Sequence, residues 1–189
     1  MRRLLFVLIM LTLAISWLSA CKPGLLPTAD SGMPKVTLER IEVQSYFPWV
    51  DLPARTPLAL GYVFNIHNPS DYNIRLENFK FSTLFEAAPG EFLSMTTPTT
   101  YDRIYFPPHT VSQYLVVDIL DSATINVSLA VANAQKVQAL NLNRAEVIKN
   151  WYSKVGDFAF GIKVSEGMAV FSSEKGDIFA PFEDMFPKK

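Results

Sequence analysis

Residues 58–66 constrain the fold more than any other stretch. Leu58, Leu60, Tyr62, Phe64 and Ile66 occupy every second position. A period of two puts large apolar side chains on one face of an extended strand, whereas a helix would scatter them around its axis. The same alternation recurs along the chain. Val36, Leu38, Ile41 and Val43 follow it in residues 36–47, with a phase slip near Glu39 and Arg40. Residues 72–86 predict a third strand and room for a fourth, with Ile74, Leu76, Phe79, Phe81 and Leu84 as candidate core. Residues 92–105 hold short, threonine-rich strand material. In residues 111–119, Leu115, Val117 and Ile119 share one face. Phe158, Phe160, Ile162 and Val164 alternate again. Glu166-Gly167 then predicts a tight turn, with residues 168–172 returning as a hairpin partner and 175–181 as a short final strand.

The punctuation agrees with many short strands. Pro48, Pro53 and Pro57 break one loop, Asn68-Pro69-Ser70-Asp71 forms a turn, and Pro107-Pro108 ends the threonine-rich stretch. One segment changes period. Val127, Ala130, Val131, Ala134, Val137 and Leu140 recur at helical spacing, behind Asp121 or Ser122 as an N-cap. Residues 144–152 suit a second short helix. Strands without regular helical alternation disfavour a parallel α/β sheet. The expectation is a mainly β, antiparallel β-sandwich with a helical insertion before the last strands.

The N-terminus carries a different signal. Arg2 and Arg3 precede a nearly continuous apolar run over residues 4–17, followed by Leu18-Ser19-Ala20-Cys21. The charges hold the N-terminus on the cytoplasmic side while the run enters the membrane. Small residues before the cysteine give a peptidase access to extended backbone. The arrangement resembles the bacterial lipobox, formed here by Leu18, Ser19, Ala20 and Cys21. That resemblance implies a signal peptide over residues 1–20 and an acylated Cys21, inserted in a lipid bilayer, as first residue of the mature chain. An uncleaved anchor is the alternative, although the run is at the short end of the roughly 17–25 residues that span a bilayer. Both readings put the domain outside the cytoplasmic membrane. Lys22, rather than Asp, follows the cysteine. By resemblance to enteric lipoproteins this implies the outer membrane, facing the periplasm, in an organism that has one. Residues 21–35, rich in Pro and Gly, read as a tether, and residues 36–189 as the domain.

The chain resembles the late embryogenesis abundant type 2 family, also called the water-stress and hypersensitive-response (WHy) domain. The residues that carry the resemblance are Phe64-Asn65-Ile66-His67-Asn68-Pro69-Ser70, then Tyr72-Asn73-Ile74-Arg75-Leu76, and Gly176-Asp177-Ile178-Phe179-Ala180-Pro181 near the end. It covers residues 36–186 and departs from the family in the long 140–155 region and in Ser70, where a second Asn is common. It implies an immunoglobulin- or fibronectin-III-like sandwich with a helix, and an association with desiccation and other stress. The turn Asn68, Pro69, Ser70 is the family-motif element.

Composition and motifs narrow the chemistry. The net charge is −1, and removing Arg2 and Arg3 with the leader leaves about −3, so no basic surplus favours nucleic acid. One cysteine allows no intramolecular disulfide. His67 and His109, the two histidines, lack the ligand spacing of a metal site, and no metal or other cofactor is expected. The serines lack a nucleophile-elbow context and the 8 glycines form no phosphate cradle. Asp118 and Asp121 would support hydrolysis of an envelope polymer only if they shared one cleft with split pKa values. Aromatic rings offer contact area at low entropy cost. Trp49, in a polar loop between prolines, is the first candidate for an exposed binding anchor. Residues 180–186 either pack back on the sandwich or dock a partner. The leading expectation is a membrane-anchored, non-enzymatic envelope module that binds an envelope protein or polymer or protects against stress. An envelope hydrolase and a structural subunit of an envelope assembly are the alternatives.

Overall fold

The computed structural model describes residues 32–188. The expectations for Leu18, Ser19, Ala20 and Cys21 lie outside the described residues. The elements are β1 (Lys35–Tyr46), β2 (Pro57–Asn68), β3 (Ile74–Ala88), β4 (Glu91–Thr96), β5 (Thr99–Thr100), β6 (Tyr105–Phe106) and β7 (Thr110–Asp121). Helices α1 (Ser122–Val131), α2 (Ala134–Ala139) and α3 (Arg144–Lys154) follow, then β8 (Ile162–Ser173) and β9 (Gly176–Phe186). All strand pairs are antiparallel. One sheet has the order β1-β2-β7. The other has β4-β3-β8-β9, with β5 and β6 also pairing with β3. The chain is therefore a mainly β, two-sheet sandwich with helices inserted before the last two strands.

The alternation of β2 builds the interface between the sheets. Leu58, Leu60, Tyr62, Phe64 and Ile66 are all fully buried. Their rings meet those of the second sheet, with Tyr62 5.1 Å from Phe81 and Phe64 4.9 Å from Phe79. The slip expected near Glu39 and Arg40 is a bulge, since β1 shifts register against β2 between Leu38 and Arg40. An extra residue there restores the inward phase for Ile41.

Several local expectations are corrected. Residues 72–86 do not hold two strands, because β3 is one strand extending to Ala88. A register shift between Leu76 and Asn78 changes its phase, so Thr83 and Phe85 face the core and Leu84 is only half-buried. Leu115, Val117 and Ile119 do share a face of β7, and it points outward. Tyr114, Val116, Asp118 and Leu120 point inward. In α1 the buried side chains are Ser122, Ile125 and Leu129, while Val127 and Val131 are exposed. Polar and apolar residues alternate along most of this helix, so no helical stripe is uniformly apolar and spacing alone could not choose the inner face, which Ile125 and Leu129 take. Phe158 and Phe160 precede β8 instead of starting it.

The largest correction concerns Glu166-Gly167. β8 runs straight through these residues, and the hairpin forms instead around Lys175, joining β8 to β9. Glu166 has φ 52° and sits in a bulge where the β8–β9 register shifts between Val164 and Gly167. Its carboxylate accepts a hydrogen bond from the Ser82 hydroxyl at 2.9 Å. The segment 180–186 packs back as part of β9, placing Phe182 in the core. A Cβ on Gly167 would lie 2.5 Å from both the Phe182 ring and the Phe182 carbonyl oxygen. The carbonyl belongs to a paired strand and cannot swing away. Gly167→Ala is therefore expected to destabilise the fold by about 1–3 kcal/mol, and urea unfolding at equilibrium measures it.

Candidate functional site

The two edges of the three-stranded sheet differ. The β1 edge carries the devices that blunt strand edges. It has bulges at Leu38/Arg40 and at Val43/Ser45. Arg40 pairs with Glu39 at 2.9 Å and with Glu42 at 2.6 Å. The Leu38 N–H donates to the Asp184 carboxylate of β9 at 3.0 Å. The β7 edge has none of these. It pairs with β2 over twelve consecutive residues without a register shift. Its outward side chains are Val111, Gln113, Leu115, Val117 and Ile119, and none is charged. Val111 is 62% exposed and Ile119 71%, with Leu115 and Val117 near half. Gln113 donates its amide across the sheet to Glu39 at 2.7 Å. Alternate residues of an edge strand turn N–H and C=O away from their one partner. Among the described residues β7 has no second partner strand. A long uncharged edge with an apolar row is a surface suited to another strand or another apolar face.

The inner side of β7 carries one carboxylate among the buried side chains of Tyr114, Val116 and Leu120. Asp118 is 9% exposed and accepts a hydrogen bond from the Thr96 hydroxyl of β4. Burial pushes its carboxyl above the usual carboxylate range, and the Thr96 hydrogen bond partly opposes that shift. The hydroxyls of Tyr62 and Thr83 are also buried, each without a hydrogen-bond partner among the described residues. Tyr114 donates its hydroxyl proton to Asp102 at 2.7 Å. Asp121 has a different task. It caps α1 by accepting from the N–H groups of Ala123 and Thr124 at 3.0 and 3.1 Å, and Arg55 lies 3.3 Å away. Asp118 and Asp121 thus have separate partners, one between the sheets and one at a helix terminus. The shared cleft with split pKa values that glycoside hydrolysis requires is not formed by this pair.

The family-motif turn is a buried clamp. Asn68 is fully buried, and its Nδ2 lies 2.9–3.1 Å from the carbonyls of Tyr72, Phe106 and Pro107, to which it donates. Its Oδ1 accepts from the Ser70 N–H at 3.1 Å and from the Ser70 hydroxyl at 2.6 Å. One side chain therefore ties the end of β2 to the start of β3 and to the segment that enters β7. Pro69 fixes φ between them. His67 lies half-buried in β2. His109, at φ 55° in a turn, has its Nε2 2.8 Å from Asp71 at an exposed position. No group of three or more His, Cys, Asp or Glu placed to hold a metal occurs among the described residues.

Trp49 is less open than its loop context suggests. It is half-buried, its ring lies 5.3 Å from that of Tyr152 on α3, and its Nε1 donates to Asp51 at 2.8 Å. Tyr152 in turn donates its hydroxyl proton to the Thr56 carbonyl at 2.7 Å. Trp49 thus helps fasten α3 to the β1–β2 loop. A cleft of about 370 Å³ lies beside Phe92, Phe158 and Phe160. There the Glu86 carboxylate accepts from the N–H groups of Gly90 and Gly161, bracing two turns.

No family model and no curated protein matches the chain. Among solved structures, a protein from Archaeoglobus fulgidus is similar at 8% identity and a TM-score of 0.43, over 81% of this chain and 98% of that one. A Northeast Structural Genomics Consortium target, SoR45, is similar at 16% identity and 0.40, over 82% and 85%. A protein from Arabidopsis thaliana, solved in solution, is similar at 9% identity and 0.46, over 84% and 85%.

Two expected outcomes follow from this geometry. Asn68→Ala leaves several buried backbone groups without partners and lowers stability by roughly 2–3 kcal/mol in chemical denaturation. The Asp118 carboxyl holds its proton to higher pH in the folded state than in the unfolded one. Its contribution is complete below the unfolded value, near pH 4, and is lost as pH rises through the folded value. Relative to Asp118→Asn, the parent protein is therefore expected to lose stability as pH rises above about 4. Paired melting curves at several pH values measure the difference. Parallel curves for the two proteins would refute it.

Proposed function

We propose that this chain is a membrane-anchored, non-enzymatic envelope lipoprotein whose sandwich acts as a binding module, with the β7 edge as its contact surface. The observation that carries the reading is the contrast within one sheet. β1 is guarded by charge, bulges and the Asp184 contact, whereas β7 presents Val111, Leu115, Val117 and Ile119 to solvent. The lipobox resemblance of Leu18, Ser19, Ala20 and Cys21 supports attachment through an acylated Cys21. The resemblance of the Asn68-Pro69-Ser70 turn to the late embryogenesis abundant type 2 pattern supports a stress-protective setting. The same exposed edge favours one second reading, a structural subunit of an envelope assembly. The separation of Asp118 from Asp121 argues against their working as a hydrolytic pair.

Photocrosslinking in cells tests the binding surface. A photoreactive residue at Ile119 of the full chain is expected to give adducts, and one at Val127, also well exposed, none. No adduct from Ile119, or the same adducts from both positions, would remove the β7 surface. The intact mass of the membrane-extracted protein tests the anchor. It is expected to lack residues 1–20 and to carry acyl chains, which Cys21→Ser abolishes. An unmodified full-length mass would leave the leader as an uncleaved anchor.

A further inference from the structure

We infer that the occupant of the β7 edge is a second copy of this chain, paired strand to strand through a two-fold axis at Leu115. The inference rests on the reading of β7 as a contact surface and names its partner. A strand added to β7 lays its outward row beside Val111, Leu115, Val117 and Ile119, where apolar and β-branched side chains form favourable cross-strand pairs and charged ones do not. β7 itself carries an uncharged outward row, since its two aspartates serve other faces. Asp118 points between the sheets and Asp121 caps α1.

The sequence of the edge is also self-complementary. In an antiparallel pairing centred on Leu115, Val111 opposes Ile119 of the second copy, Gln113 opposes Val117, and Leu115 opposes Leu115. No like charges meet. Residues 111–119 would supply a ladder of about 30 Å from each copy. The unbroken register of β7 against β2 leaves the edge straight enough for that ladder. The three-stranded sheet then becomes a six-stranded sheet shared by two protomers, with order β1-β2-β7-β7-β2-β1. A two-fold axis closes such an assembly at the dimer, because each copy has one β7 edge and the β1 edge is guarded. A net charge of about −3 per copy without Arg2 and Arg3 opposes association little.

A charge swap at the axis tests the pairing, because only residue 115 meets itself. The full chain in detergent micelles is followed by sedimentation as the parent, as Leu115→Lys, as Leu115→Glu and as an equal mixture of the two variants. Leu115 is about half exposed on the outer face, and unchanged melting of each variant confirms its fold. The parent is expected to be dimeric. Each variant alone is expected to dimerise at least about tenfold more weakly, since like charges face each other across the axis. The mixture is expected to recover a heterodimer. A monomeric parent overturns the inference, and so does a dimer that Leu115→Lys leaves intact. Two variants that stay monomeric when mixed overturn the axis at Leu115. If the parent is monomeric while Ile119 still crosslinks to heavier foreign proteins, the binding-module reading stands and self-pairing falls. If neither occurs, both fall.

Discussion

Phe182, from the last strand, stacks on Phe79 at 4.8 Å and meets Phe64 edge-on at 5.4 Å. Phe81 completes the group, 5.2 Å from Phe64. These rings come from β2, β3 and β9 and join the two sheets across the core. Tilted and edge-to-face contacts of this kind add about 0.5–1.5 kcal/mol per pair beyond the burial of apolar area. The rest of the architecture accommodates the group. Gly167 has no side chain because the Phe182 ring and carbonyl occupy the space beside it. The bulge at Glu166 brings Gly167 to that point. The phase shift in β3 after Leu76 turns Phe79 and Phe81 inward together.

Polar groups are distributed according to the work each can do. Asn68, Asn133 and Asn143 hold backbone turns and ends. Asn68 joins three segments, Asn133 bonds both the N–H and the carbonyl of Ser94, and Asn143 caps α3. Trp151 and Tyr152 use their polar tips to fasten α3, through the Glu86 and Thr56 carbonyls. The helical insertion is thereby fixed to one end of the sandwich by directed hydrogen bonds as well as by apolar packing. Asp118 is the exception. It keeps a carboxyl in a layer otherwise filled by Val116, Leu120 and aromatic rings, with the orphaned hydroxyls of Tyr62 and Thr83 also buried. Apolar residues of similar volume would fill this layer without the desolvation cost that the Asp118 carboxyl carries.

The sequence revealed strands wherever period two was unbroken. β2 was readable residue by residue because five large side chains kept one phase. The β1 bulge was also visible, since a single slip in an alternating row has one simple cause. Reading failed where both faces of an element were apolar. β7 alternates two apolar sets, and periodicity cannot tell which one faces inward. Only the opposing sheet decides, through Tyr114 against Phe79 at 5.1 Å. Glu166-Gly167 looked like a hairpin turn because its chemistry is that of a turn. Non-local pairing with β3 and β9 overrode it and made a bulge. The candidate surface was the least legible part. Its defining property is a missing neighbour along β7, and strand order is not written in any local pattern. Trp49 stood out by composition, yet the ring that covers half of it lies on a helix about a hundred residues later.

The position of β9 has a consequence for the timing of folding. Residues near the end of the chain supply a core ring through Phe182 and a hydrogen-bond acceptor for the first strand through Asp184. β3, the long central strand of its sheet, waits for β8 about ninety residues later to cover one of its edges. Closing such distant pairs is entropically slow. During synthesis β1, β2 and β7 can pair with one another first, whereas β3 remains without β8 until the helical segment has been made. The aromatic rings of β2 and β3 that meet Phe182 therefore stay uncovered until β9 docks, so the unfinished chain exposes the apolar surface that the finished one relies on.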